Sequence, residues 1–338
     1  MSFDETINGL LRVGEREHLQ RVSHDLGNAS LLKEYGRWLQ REGDLRGEFL
    51  LQFADGVSTW SIDPFPDAAG IDATWLDLIG YSIAHRLAER QLSQFAETVF
   101  GVARPALRFS TEAKEDDLLA LGSSKFGGLP DLPAEFEWPI GDLCRATYND
   151  DTAGEQRLAG FLGQINLDEL QNAVTNDRLP KTGLLSFFGF QDMENDNPDK
   201  IGVMARWFPN RSQLSRRPAP DNLTTGNECF PSAQIVFTEF LDLPGWGSPW
   251  QEELQELINA DEEAFDFGTW DNIRNMMGYA VATSGDEPTP DKQSQHLIFF
   301  PTNELTGWIW PDLHIQIAES NLKERRFEEI QLVWVDWD

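Results

Sequence analysis

Ser123-Ser124-Lys125-Phe126-Gly127-Gly128-Leu129-Pro130-Asp131-Leu132-Pro133, closing on Glu137-Trp138-Pro139, holds two adjacent glycines, three prolines and two large aromatics. Gly-Gly gives the backbone angles that side chains forbid, and each proline fixes φ and removes an N–H donor. The stretch therefore predicts neither a long helix nor a central strand. It predicts an ordered, turning loop pinned by Phe126 and Trp138. Downstream lie short β-like runs: 158–165, 183–190, 201–208, 233–240, 296–300, 307–310, 314–317 and 330–335, with Pro105–Ser110 as a first strand upstream. Gly, Pro and Asp clusters separate them. Residues 167–174 and 250–260 read as helical, 321–327 as one or two turns, and the polar segments 191–199 and 209–229 as exposed loops. Strands of four to eight residues with few helices predict an α+β fold, richer in strand than helix, over residues 103–338.

The chain before residue 103 has a different period. Helical spacing is present at Phe3, Ile7, Leu10 and Leu11, and again at Leu19, Val22 and Leu26. Asn28 and Ser30 are cap residues before a helix with Leu31, Tyr35, Trp38 and Leu39 on one face, stopped at Gly43. Residues 1–60 thus predict a small all-helical module. Residues 61–102 predict a connection, rich in Asp, Pro and Gly, followed by one longer helix over about 73–98 capped by Asp72 or Thr74.

Charge is the unusual feature of the composition. Lys plus Arg number 27 against 57 Asp plus Glu, a formal net charge of −30. Such a field repels phosphate backbones and anionic lipid, which argues against nucleic acid and membrane surfaces as partners. It suits either solubility or an acidic face that meets a basic protein. Cys144 and Cys229 are far apart and make no disulfide framework. The acidic start of the chain lacks a signal-peptide pattern, and no apolar run approaches the ~20 residues of a membrane span. The expected location is the cytoplasm.

Two resemblances add to this reading. Tyr35-Gly36-Arg37-Trp38-Leu39-Gln40-Arg41-Glu42-Gly43-Asp44-Leu45-Arg46-Gly47-Glu48-Phe49 resembles the bacterial repeat-companion domain, a short helical module with no known catalytic role. Ser124–Pro133 with Glu137-Trp138-Pro139 resembles the YwqG-like family, a bacterial domain of unknown function. Leu162-Gly163-Gln164-Ile165-Asn166-Leu167 and Leu179-Pro180-Lys181-Thr182-Gly183-Leu184-Leu185-Ser186-Phe187-Phe188 follow in that family's order. Coverage is about residues 103–338. The chain departs from the pattern at Asn272–Ala280, where family members often carry His or Gln. The resemblance implies no reaction. Members recur beside secreted toxins and immunity proteins, which implies an immunity role for some.

Motifs for chemistry are few. The five histidines, His18, His24, His85, His296 and His314, show no metal-ligand spacing. There is no C-x-x-C, EF-hand loop or G-x-S-x-G, and no catalytic residue, metal or cofactor is expected. Gly127-Gly128 precede Pro-Asp-Leu-Pro and follow Lys125, the reverse of a P-loop. Lys125 beside the amides of Gly127 and Gly128, with Gln164 as a polar residue in an apolar strand, is the candidate ligand pocket; the competing reading is a structural turn and a hydrogen-bonded core amide. Glu252, Glu253, Glu256, Asp261, Glu262, Glu263 and Asp266 have no basic residue among them, and Leu254, Leu257 and Ile258 turn one side of that helix inward. These acids are the candidate partner-binding face, against an ordinary solvated surface. The expected function is a non-enzymatic protein-binding protein, most concretely an immunity-like protein that occludes a toxin with a basic surface. A small-ligand or enzymatic pocket at the Gly-Gly loop and a structural interaction module are the alternatives. A repeat of the strand-to-helix run 161–170 at 314–322 suggests a duplicated unit.

Overall fold

The computed structural model describes residues 11, 14–60, 65–142, 156–171, 173, 178–191, 201–221, 223, 230–245, 248–261, 274–280, 291–301 and 312–335. Six helices come first: α1 (Glu15–His24), α2 (Ala29–Arg41), α3 (Arg46–Val57), α4 (Ala73–Leu78), α5 (Tyr81–Glu89) and α6 (Ala96–Val102). Asn28 caps α2, its side chain accepting from the N–H groups of Ser30 and Leu31, and Asp72 caps α4 through Trp75 N–H at 2.9 Å. The single helix expected over 73–98 is instead three, because Gly80 at φ 81° and Gln91 at φ 60° turn the chain left-handed. α4 to α6 share one apolar core with α1 to α3. Arg46, read from sequence as a surface charge, instead reaches both oxygens of the buried Glu15, at 2.9 and 3.0 Å, and one of them, Oε1, also accepts from Tyr35 Oη at 2.5 Å. No helix among the described residues is long and apolar enough to cross a membrane.

The rest is strand-rich, as expected of an α+β chain. In order come β1 (Arg104–Ala113), β2 (Lys125–Phe126), β3 (Asp131–Pro133), β4 (Ile140–Asp142), β5 (Gln156–Leu158), β6 (Gly160–Asn166), α7 (Leu167–Leu170), β7 (Leu184–Gln191), β8 (Ile201–Phe208), β9 (Leu214–Arg216), β10 (Ala233–Asp242), α8 (Gln255–Ala260), β11 (Asn275–Met276), β12 (Ser294–Phe300), β13 (Asp312–Ala318), α9 (Glu319–Lys323) and β14 (Ile330–Val335). β9 lies in a segment expected to be loop. Its three residues pair with β3 and so anchor the organising stretch from outside the main sheet.

Ten strands form one antiparallel sheet in the order β14-β13-β12-β11-β1-β10-β2-β6-β7-β8. Its outer strands, β14 and β8, lie against each other, so the sheet curls nearly into a barrel. Phe109, Phe126, Phe187, Phe237, Phe300 and Ile315, from six strands, belong to the apolar cluster it encloses. The helices cover its outside near the end of β10, where Leu241, Leu243, Leu254 and Leu257 join the helical core.

The order of strands has an internal two-fold. β1 and β10 pair at the centre, and each is followed by a two-residue strand that pairs across to the other: β11 on β1, β2 on β10. Leu107 faces Met276 as Ala233 faces Phe126, and Arg108 faces Asn275 as Gln234 faces Lys125. The pairs β6–β7 and β12–β13 then flank the two short strands, and both carry a register shift, at Leu162 and at Leu297. The duplication therefore equates β6 with β12 and β7 with β13. This differs from the sequence echo, which set 161–170 against 314–322.

Candidate functional site

The two short strands open equivalent loops. After β2, Gly127 and Gly128 take φ 58° and 69°; after β11, Met277 takes φ 66° and is followed by Gly278. Gly127 N–H donates to Leu162 O at 2.9 Å, and Met277 N–H donates to Leu297 O at 3.2 Å, each at the shifted residue of the neighbouring strand. A carboxylate then closes each turn. Asp116 Oδ2 accepts from Leu129 N–H at 2.6 Å, and Asp242 Oδ2 accepts from Tyr279 N–H at 2.6 Å. The displacement that carries Leu107 onto Ala233 carries Asp116 onto Asp242. A side chain on Gly128 or Gly278 would collide with that carboxylate.

The loops differ in what faces the acid. In the first, Lys125 is fully buried and its ammonium binds Asp116 and the carbonyl of Leu129, the latter at 2.6 Å. Burial lowers its pKa against the pull of Asp116. Gly128 N–H donates to Phe230 O at 2.6 Å. Gln164 faces Lys125 across the β2–β6 pair, accepts from Asp131 N–H at 3.0 Å, and donates to Ser123 O and Asp131 Oδ2 at 2.9 and 2.8 Å. Asp131, also buried, accepts from Gly122 N–H at 2.8 Å and from Arg216 Nε at 2.9 Å. Burial pushes its carboxyl up, but Arg216, Gly122 and Gln164 together hold it below the usual range. Lys125, Gly127, Gly128 and Gln164 are thus brought together, with the donors an anion would need already bound to the protein's own carboxylate and carbonyls.

In the second loop Asn275 replaces the lysine. Its Nδ2 donates to Tyr279 O at 2.8 Å, the contact that Lys125 makes with Leu129, and its Oδ1 accepts from Gly278 N–H at 3.2 Å. That oxygen also lies 2.9 Å from His296 Nδ1, which therefore carries the proton; His296 Nε2 then accepts from His314 Nδ1 at 3.1 Å. Burial keeps His296 neutral by holding it well below the ordinary imidazole value. These two histidines, 18 apart in sequence, meet because β12 and β13 are neighbours. Spacing along the chain gave no sign of it. Gln295 and Gln316 are also buried here, so Asn275 packs into a polar cluster.

Without a lysine, Asp242 is held by amides: Leu243 N–H at 3.0 Å on one oxygen and Tyr279 N–H on the other. Burial pushes its pKa up to about 7, opposed by Tyr279 N–H and Arg104. A carboxyl raised from 3.8 to about 7 takes up a proton on folding. Its contribution to stability is full below about 4 and is lost as pH rises to about 7, a swing of up to about 4 kcal/mol. Urea titrations across this range should therefore show the stability of wild type relative to Asp242→Asn declining from pH 4 to 7 and level above. A difference independent of pH would show that Asp242 titrates normally.

The acidic segment divides. Leu254, Leu257 and Ile258 are buried in the helical core, as their spacing predicts, and Glu252, Glu253 and Glu256 are exposed. Glu253 meets Lys292, however, and Asp261 meets Arg90 at 2.9 Å, so cations remote in sequence enter the face. Glu262, Glu263 and Asp266 lie outside the described residues, as do Cys144, Cys229 and the strand expected at 307–310. Among the described residues no group of His, Cys, Asp or Glu is arranged to hold a metal.

Sequence reading did not find the groove beside the organising stretch. Phe136, Trp138, Met204 and Phe208 form its half-buried floor, Glu135 and Glu137 its exposed rim, and its volume is about 550 Å³. Trp138 is fixed by Nε1 donating to Ala159 O at 2.7 Å and by its edge contact with Phe188. A search of curated proteins returned no match. The family described as Domain of unknown function (DUF1963) matches residues 124–338, which begin at the Lys125 loop and take in the Asn275 loop as well. The chain belongs to that family.

Proposed function

We propose that this chain is a protein-binding protein that docks a basic partner in the groove at Trp138. The observation that carries this reading is the groove's makeup: an aromatic and methionine floor under two exposed carboxylates, Glu135 and Glu137, which outnumber Arg206, the one cation among the described residues of its wall. Aromatic anchors in a pocket with a polar rim are the usual anatomy of binding hot spots. The exposed Ile140, 57% accessible, extends the apolar area. The net charge of −30 and the exposed carboxylates of Glu252 and Glu256 would speed encounter with a basic surface. The finer form of the proposal is a cytoplasmic, YwqG-like immunity protein that occludes a toxin, carrying a repeat-companion module at its N-terminal end. It rests on the resemblances of Ser124–Pro139 and Tyr35–Phe49.

The test is affinity capture from the native host with wild type and with the Trp138→Ala/Glu137→Lys double variant. A basic protein held by wild type, released by salt and lost from the variant is the expected result. Co-expression should then relieve any toxicity of that protein. Equal recovery by both forms, or no specific partner at low salt, would overturn the reading.

A further inference from the structure

Three tryptophans of this chain carry a guanidinium over the ring. Arg46 lies 5.2 Å from the Trp75 centroid, Arg325 5.5 Å from Trp207 and Arg104 5.0 Å from Trp250. Trp138 differs. Among the described residues no cation lies over its ring, whose aromatic neighbour is Phe188, 5.9 Å away and inclined at 76°. The ring is half-buried and lines the groove.

It is also held ready. Trp138 Nε1 donates to Ala159 O at 2.7 Å, and Ala159 N–H donates to Pro139 O at 3.0 Å, so two bonds to one residue fix the indole and the backbone beside it. With Nε1 engaged, the π face is what the indole has left for a ligand. A ring already fixed costs little further ordering on binding. Beside it, Glu135 and Glu137 are exposed, and neither makes an ion pair among the described residues. Arg206, in the same wall, turns Nη1 to Ala205 O at 2.8 Å instead. Phe136 and Phe208 meet edge to face at 5.0 Å and give the groove an apolar side.

An indole face with carboxylates beside it attracts a cation, and its shape discriminates between cations. A lysine ammonium is compact and strongly hydrated. A guanidinium is flat and weakly hydrated, so it can stack on the ring and still offer in-plane N–H groups to a carboxylate. Its apolar stem can lie along Phe136 and Phe208 while the head stays at the rim. We propose that the groove takes an arginine side chain of the partner, its guanidinium stacked on Trp138 and its edge donated to the carboxylates of Glu135 and Glu137. This deepens the protein-binding reading and rests on it for what carries the arginine. Tryptophan and arginine are the residue types most enriched at the centres of binding hot spots.

N-acetylarginine amide, N-acetyllysine amide and N-acetylcitrulline amide, titrated separately at matched ionic strength into the full chain with isotope-labelled tryptophan, test this. The reporter is the Trp138 indole N–H resonance, assigned by its absence from Trp138→Phe. The arginine amide should move it saturably and bind about threefold or more tighter than the lysine amide. The neutral citrulline amide should leave it in place. Glu135→Gln/Glu137→Gln should weaken arginine binding by a similar factor, whereas Glu97→Gln, on α6, should not change it. A resonance unmoved by arginine, moved equally by arginine and lysine, or equally responsive in the double variant would overturn the proposal. The two readings fail separately. A partner captured by wild type and lost from Trp138→Ala/Glu137→Lys, with no response to the arginine amide, removes the arginine and keeps protein binding. A saturable, arginine-selective response with no partner captured does the reverse.

Discussion

Gly127→Ala should leave little or no folded protein. Gly127 sits at φ 58°, where an alanine costs about 1–2 kcal/mol from its own Cβ. The larger penalty is external. That Cβ would be driven into the backbone carbonyls of Pro231 and Phe230, the latter at 2.7 Å, and these belong to the segment leading into the central strand β10. Backbone cannot rotate aside as a flexible side chain can. The Gly127 N–H bond to Leu162 O ties the same residue to the shifted position of β6, so moving the loop would break the join between β10, β2 and β6. Strain and lost pairing together should exceed about 4 kcal/mol, a large part of the 5–15 kcal/mol that holds a typical domain. The measurement is soluble yield and the urea midpoint of whatever folds. Gly101→Ala is the matched control: a helical glycine with open space around it, where alanine should be neutral or gain about 0.5–1 kcal/mol. If both variants unfolded at the same midpoint, the close approach at Gly127 would not exist in solution.

The turn in this loop was legible for a physical reason, although Lys125 and Phe126 before it form an inner strand of the sheet, against the expectation of no central strand. Two successive glycines between a lysine and a proline leave few backbone solutions, and both glycines do adopt positive φ. Alternation and turn residues likewise located most of the strands. The duplication was not legible. Its second copy, Asn275-Met276-Met277-Gly278-Tyr279, keeps one glycine of the two and no charge, while the shared features are a backbone turn, a carboxylate contact and a register shift. None of these depends on residue type strongly enough to leave a pattern. The meeting of two arginines at one glutamine oxygen was hidden for a related reason. Arg104, Arg178 and Gln295 come from the start of β1, a loop and β12, and only the sheet order brings them together. The acidic helix shows the converse. Its inward face followed from local spacing, but whether its carboxylates stood alone depended on Arg90 and Lys292, which local sequence does not reveal.

Divergence between the two loops also sets where the chain is most sensitive to loss of a charge. Asp131→Asn should destabilise the protein by about 3–5 kcal/mol at neutral pH, the usual result of removing one partner from a buried ion pair. Asp131 is fully buried and serves four groups: Gly122 N–H, Gln164 Nε2, and Arg216 through Nε and Nη2, at 2.8 to 3.2 Å. An asparagine has one acceptor oxygen and would turn an NH₂ toward at least one of those donors, leaving Arg216 half-paired beside Lys125. The pH dependence has a definite sign. Because the folded carboxyl is held below its ordinary value, its contribution is present above the unfolded pKa near 3.9 and disappears as pH falls through the lower folded value. The gap between wild type and Asp131→Asn should therefore be constant from pH 7 to about 5 and close in acid, opposite in direction to the decline expected for Asp242. Arg216→Met should cost less when added to Asp131→Asn than when made alone, since the arginine has then already lost its carboxylate. Additive costs would mean that the two side chains do not act as a pair, and that the network around Lys125 is not what closes the first loop.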